Sequence, residues 1–215
     1  QNLQGFYAGR VDEVLQHPRY HLHVIAARGR HVLGREHPVA TPLGYLGAFF
    51  SNTVHRKALG AWLERVVFSS PLGDGPAGAP LPFGTHDFRT RQVRLTPANF
   101  MDALQASCSI PFVLQAVHHI EGAPPGAYWD GGLTDYHMHL AYHQPQGAIN
   151  NIAAGAYSES AAGRFDSQSA VNSSEASQGA GLVLYPHFQH QVVPGWLDKA
   201  LRWRHKATPA LDSMV

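Results

Sequence analysis

From Pro145 to Ala180 roughly three-quarters of the residues are Ala, Ser, Gly, Asn or Gln, and this stretch limits what the remaining chain can build. Such a composition offers too little apolar surface to offset the entropy of ordering it, so it is expected to be a mobile insertion between two core elements. The core must therefore come from the residues before about 145 and after about 180. That is still enough chain for one substantial domain, and the reading treats residues 1–215 as a single unit with an insertion at about 145–180.

Outside that stretch, apolar runs alternate with segments of helical spacing. "RYHLHVIAARGR" predicts a buried strand at about 21–27, with Leu22, Val24 and Ile25 before the turn at Gly29. "KALGAWLERVVF" spaces Leu59, Trp62, Leu63 and Val66 as on a helix, followed by an extended stretch near Val67–Ser69. Residues 71–84 are rich in Pro and Gly and read as a loop. "RTRQVRL" alternates as a strand. In "TPANFMDALQAS", Thr96 is placed to cap a helix that has Pro97 at its first position, buries Phe100, Leu104 and Met101, and ends near Ser107. "GLVLYP", 181–186, predicts a strand buried on both faces. "GWLDKALRWRHK" predicts an amphipathic helix with Trp196, Leu197, Ala200, Leu201 and Trp203 on a common side. Strands interleaved with helices indicate an α/β layered fold.

Composition narrows the function classes. The formal net charge is +1, so no electrostatic argument supports a nucleic-acid partner. One cysteine, Cys108, precludes an internal disulfide, fits a reducing, cytoplasmic compartment and reads as a small core residue. No apolar run is long enough to span a bilayer. The C-terminal amphipathic segment is a candidate for peripheral membrane contact, with core packing as the alternative. Both ends read as cut, since the chain starts without Met or a signal peptide and stops without a helix cap or polar tail. Fifteen histidines, many in near-pairs such as His21/His23 and His137/His139, suggest metal binding or a scatter of surface histidines.

The stretch "GAYWDGGLTDYHMH", Gly126 to His139, concentrates the chemistry and admits three readings. Asp130 followed by Gly131 and Gly132 can simply start a turn, with the carboxylate capping its own backbone. Asp135, His137, His139 and His143 can instead supply metal ligands, because two histidines two apart face the same side of a strand.

The third reading rests on linked blocks. Ala106-Ser107-Cys108-Ser109-Ile110-Pro111 followed by Asp130-Gly131-Gly132 resembles the patatin-like phospholipase family, in which a helix end leads into an Ile-Pro step and a strand then delivers an aspartate in a D-G-G or D-G-A motif. "HLHVIAARG", "ERVVF", "FRT", "LVLYPHF" and "VPGWLDKAL" look like a bacterial branch of that family. The resemblance covers most of the chain outside 145–180. It implies a layered α/β sheet, a Ser-Asp dyad that hydrolyses acyl esters of lipids, and no metal or organic cofactor. Asp130 takes the place of the base, and Gly131 and Gly132 let the backbone bring its carboxylate close to the serine.

This sequence departs from the family at one decisive point. It contains neither the G-x-S-x-G nucleophile motif nor a Gly-rich oxyanion loop. Ser107 and Ser109 occupy positions where the family has small packing residues. The resemblance therefore implies that these residues carry the base while the serine lies outside them, and that the piece alone is inactive.

Overall fold

The computed structural model describes residues 9–72, 79–142, 183–186, 189–206, 208 and 209. The predicted insertion at 145–180 lies outside the described residues. Four strands form one open mixed sheet in the order β3-β2-β1-β4. They are β1 (His23–Gly29), β2 (Leu63–Ser69), β3 (Thr90–Arg94) and β4 (Tyr128–Asp130). β1 runs antiparallel to both β2 and β4, while β2 and β3 are parallel. Three strands thus point one way and end on the same side of the sheet, with Asp130 as the last residue of β4.

The sheet is covered on both faces, which makes three layers. Val24, Ala26, Val66, Phe68, Val93 and Tyr128 form one face and pack with Phe100, Ala103 and Ala106 of α3 (Phe100–Ser107) and Leu15 of α1 (Val11–Leu15). Ala27, Leu63 and Trp129 form the other face and pack with Tyr45 and Ala48 of α2 (Ala40–Val54) and with Leu197. The exposed margin of β3 carries Arg91 and Gln92, a polar edge that resists pairing with another chain. No helix among the described residues is long and apolar enough to cross a membrane.

Several sequence expectations are met closely. The strand predicted at 21–27 is β1, shifted two residues along the chain. "RTRQVRL" contains β3. Thr96 does cap the turn before α3: Asn99 N–H donates to Thr96 Oγ1 at 3.3 Å, and Thr96 N–H donates to Asn99 Oδ1 at 2.8 Å. This is the reciprocal geometry of a capping box, with Asn in place of Glu. Regular α-helix begins only at Phe100 and ends at Ser107 as expected.

Other expectations are corrected. The predicted helix through Leu59, Trp62, Leu63 and Val66 is a 3-10 turn, Arg56–Ala61, followed by β2. Every residue of β2 is buried because strands flank it on both sides and layers cover both faces. Burial on all sides removes the alternation that identifies a half-exposed strand. The 181–186 strand is absent among its described residues, and Leu184 is 83% exposed. The predicted C-terminal helix consists of two separate 3-10 turns, Trp196–Asp198 and Arg202–Arg204, with Trp203 exposed. Asp198 breaks the expected pattern. It is fully buried, accepts hydrogen bonds from Asn52, Arg56 and Arg204, and anchors the segment by charge. Cys108, expected in the core, is exposed. α2, the longest helix among the described residues, has no counterpart in the sequence reading.

One ion cluster ties the second face together. The Arg65 side chain is 0% exposed and meets the Asp135 carboxylate in two bonds, Nε to Oδ2 and Nη2 to Oδ1, both 2.6 Å. Its other edge binds Asp87, at 3.1 and 2.9 Å, and Thr90 Oγ1, at 3.0 Å. Phe83 and Phe88 lie beside the guanidinium, with centroids 5.9 and 5.6 Å away. Burial alone would lower the Arg65 pKa, but the charges of Asp135 and Asp87 raise it. Replacing Arg65 by Met should destabilise the fold by roughly 3–5 kcal/mol, because it strands the Asp135 charge inside the protein. Urea unfolding followed by tryptophan fluorescence checks this, and the added change Asp135→Asn should recover part of the loss.

Candidate active site

Asp130 ends β4, and strand alternation turns its side chain to the same face as Tyr128, toward α3. A cavity of about 340 Å³ opens there, lined by His23, Ile25, Ser107, Asp130, Gly131, Gly132, Asp135, Tyr136 and Met138. Its volume falls within the range of small-molecule pockets. It also lies at the carboxyl end of a strand in an α/β sheet, where ligands commonly bind.

The turn after Asp130 depends on both glycines. Gly131 packs so closely on β1 that a Cβ there would lie 2.4 Å from Ile25 O, a backbone atom that cannot move aside. Gly132 N–H donates to Asp130 Oδ1 at 2.6 Å, and a Cβ on Gly132 would come within 2.9 Å of that same oxygen. The turn reading of D-G-G is thus realised. It orients one carboxylate oxygen, and no other hydrogen bond to this carboxylate is present among the described residues. Burial raises the Asp130 pKa above the ordinary carboxylate value, a shift opposed by the Gly132 hydrogen bond and the charge of Lys199.

The two sequence blocks that carry the family resemblance meet here. Asp130 N–H donates to Ser109 O at 2.9 Å, and Ser107 shares the cavity with the carboxylate. Neither hydroxyl is hydrogen-bonded to Asp130. Ser107 Oγ donates to Leu104 O at 2.8 Å and Ser109 Oγ to Gln105 O at 2.9 Å, the back-bonding usual for serines at a helix end. His23 pairs with Ser69 Oγ at 2.9 Å, and burial, with His21 adding to it, keeps its pKa below the ordinary imidazole value. The cavity therefore presents a carboxylate, a neutral imidazole and the Tyr136 ring.

The metal-ligand reading assumed that residues 137–139 form a strand. They instead form a turn in which Met138 takes a φ of 47°, so the two histidines lose the common orientation of alternate strand residues. His137 is buried, and its Nδ1 accepts from Val193 N–H at 2.8 Å. His139 Nε2 lies 2.6 Å from Thr208 Oγ1. Asp135 is engaged by Arg65, and His143 lies outside the described residues. Among the described residues no group of three or more His, Cys, Asp or Glu side chains is arranged to hold a metal ion.

Sequence reasoning missed the cavity walls. His23 enters the sequence reading only as half of a His pair, and the wall residues Tyr136 and Met138 do not enter it, nor does Lys199, which lies outside the cavity lining. Lys199 Nζ sits 3.9 Å from the Tyr136 ring centroid and brings positive charge toward the carboxylate from a segment far along the chain. Comparison with family models, curated proteins and solved structures gives no match.

Two measurements probe this geometry. Because the folded pKa of Asp130 is raised, the protonated form favours folding. Stability from this group is full below the ordinary aspartate pKa and is lost as pH rises through the folded value. A carboxyl carbon NMR titration should place Asp130 above ordinary aspartates, and Asp130→Asn should remove this pH dependence while changing stability near neutrality by less than about 1 kcal/mol. Gly131→Ala should cost roughly 1–3 kcal/mol through overpacking against the β1 backbone, read from its thermal midpoint.

Proposed function

We propose that these residues form the base-bearing part of a patatin-like acyl hydrolase, with Asp130 as the proton acceptor for a serine nucleophile that lies outside the 215 residues. The carrying observation is the meeting of Ala106–Pro111 with Asp130-Gly131-Gly132 at a cavity that holds the carboxylate half-buried. A serine hydroxyl is a poor nucleophile until a base takes its proton, and a desolvated carboxylate with one oxygen held by Gly132 is a stronger base than an exposed one. In the proposed reaction that proton passes to Asp130 as the serine oxygen attacks the ester carbonyl. Asp130 then gives that proton to the departing alkoxide, which leaves as the alcohol. Water attacks the acyl-serine, its proton is taken by Asp130 and returned to the serine oxygen, and the fatty acid is released. The substrate class is a fatty-acyl ester of a lipid, and no cofactor takes part. The layering around the open sheet would be the patatin-like arrangement with further chain added to it.

The proposal predicts that Asp130→Asn, made in a protein that also carries the G-x-S-x-G segment, lowers ester hydrolysis at least 100-fold, the order of a lost general base, with an unchanged unfolding midpoint. Turnover within a few-fold of the unsubstituted protein would overturn it. Activity should fall as acid protonates Asp130, with an acid limb above the ordinary aspartate range. The 215 residues alone should show no stoichiometric labelling by a fluorophosphonate, since both nearby serine hydroxyls are committed to helix carbonyls.

A further inference from the structure

The helix α2 is packed with its bulky side outward. Its inward face is Thr41, Gly44, Tyr45, Ala48 and Asn52, four of them small or polar. Its outward face carries Val39, Leu43, Leu46, Phe50 and Val54, from 51% exposed at Leu46 to 86% at Val54. Not one charged residue occurs from Val39 to Val54. A solvated helix face would be polar, so this distribution indicates a face that is covered in the working protein.

The spacing identifies what kind of surface fits. The outward residues follow one another at intervals of four, three, four and four, the narrow seam by which one helix packs on another. The stripe is also close to palindromic. Reversed about the point between Leu46 and Gly47, Leu43 meets Phe50, Val39 meets Val54, and beyond the stripe Glu36 meets Lys57. Glu36 and Lys57 are both exposed. We infer that α2 pairs antiparallel with α2 of a second copy of this chain, across a two-fold axis near Leu46.

Charge and area agree with that occupant. A two-fold axis brings like residues together, and an uncharged seam avoids the repulsion this would otherwise cause. Reversal then places the acidic Glu36 of each copy near the basic Lys57 of the other, twice per pair. Full burial of the five stripe residues of both copies would remove on the order of 1,000 Å², at the low end of specific interfaces. The loop 110–114 adds exposed apolar surface beside the helix, with Ile110, Phe112, Val113 and Leu114 all exposed. It flanks α2, since the Phe112 ring lies 5.3 Å from that of Tyr45 and Ala116 N–H donates to Glu36 Oε2. The inference is independent of the proposed hydrolase reading.

Light scattering at micromolar concentration should report two chains for the unsubstituted protein and one chain for Phe50→Glu, with the far-ultraviolet circular dichroism unchanged. Val54→Glu, at the exposed end of the helix, should weaken the pair at least ten-fold with no effect on folding and serves if Phe50→Glu misfolds. In a Cys108→Ser background, Leu46→Cys should oxidise to a covalent dimer and Val54→Cys should not, because antiparallel packing sets the two copies of residue 54 roughly 20 Å apart. A single-chain mass for the unsubstituted protein overturns the inference, as does a two-chain mass retained in both glutamate variants. So does covalent dimer formation through Val54→Cys but not Leu46→Cys. Flotation of a single-chain protein with phosphatidylcholine vesicles, lost in Phe50→Glu, would assign the stripe to a lipid surface instead.

Discussion

The buried guanidinium of Arg65 is the interaction on which the arrangement around the site depends. It leaves the middle of the central strand β2 and reaches Asp135 at the end of the short helix α4 (Gly132–Asp135), which directly follows the Asp130 turn. An arginine taken wholly out of water is tolerable only if its donors find acceptors, and Asp135, Asp87 and Thr90 provide them. The cluster therefore fixes α4 against the sheet and, through α4, fixes where the Asp130-Gly131-Gly132 turn can lie. Arg56 extends the same charge system. It donates to Asp198 at 2.9 Å and to Thr134 O, joining α4 to the C-terminal turns. Arg204 closes it from the far side by binding Asp198 and Asn52 of α2.

Around that frame the site separates two roles for carboxylates. Asp135 and Asp198 are buried but matched by arginines, and both serve to hold backbone segments together. Among the described residues Asp130 has no arginine partner. It is half-buried, accepts one backbone hydrogen bond and feels Lys199 only as a distant charge, so burial prevails and its pKa rises. Carboxylates separated in this way are what a general base requires, since a base matched by an arginine would be too weak. On the same face of the sheet, Glu64 shows the contrast. Burial would raise it, but hydrogen bonds from Arg89 and Arg28 bring it below the usual range.

Legibility of the fold followed the physics of burial. β1, β3 and α3 could be read because each carries a local signal: a bounded apolar run, an alternation, or the Thr96 cap with its Asn99 partner. The first half of β2 reads as helix, and only Val67–Ser69 reads as extended, because a strand buried on every side has no periodicity to display. α2 went unrecognised because its apolar residues encircle it, small ones inward and bulky ones outward, so no polar face marks its register. The C-terminal turns were read as one helix from the spacing of Trp196, Leu197 and Leu201, whereas the buried Asp198 decides their conformation through partners more than a hundred residues away. The same distance hid a cavity wall, since His23 shares no local pattern with Asp130.

By itself the sequence determined the α/β class, the places of β1, β3 and α3, and the tight turn after Asp130, whose two glycines announce it. Local propensity suffices for these, because caps, alternation and glycine conformations act over a few residues. Tertiary contacts alone set that Asp135 is engaged by Arg65, that residues 137–139 form no strand, and that the Asp130 carboxylate lines a cavity with Gly132 N–H as its one hydrogen-bond donor among the described residues. Those outcomes turn on which charges meet across the sheet once the chain is folded, and electrostatic matching in a low-dielectric interior leaves no trace in local sequence spacing.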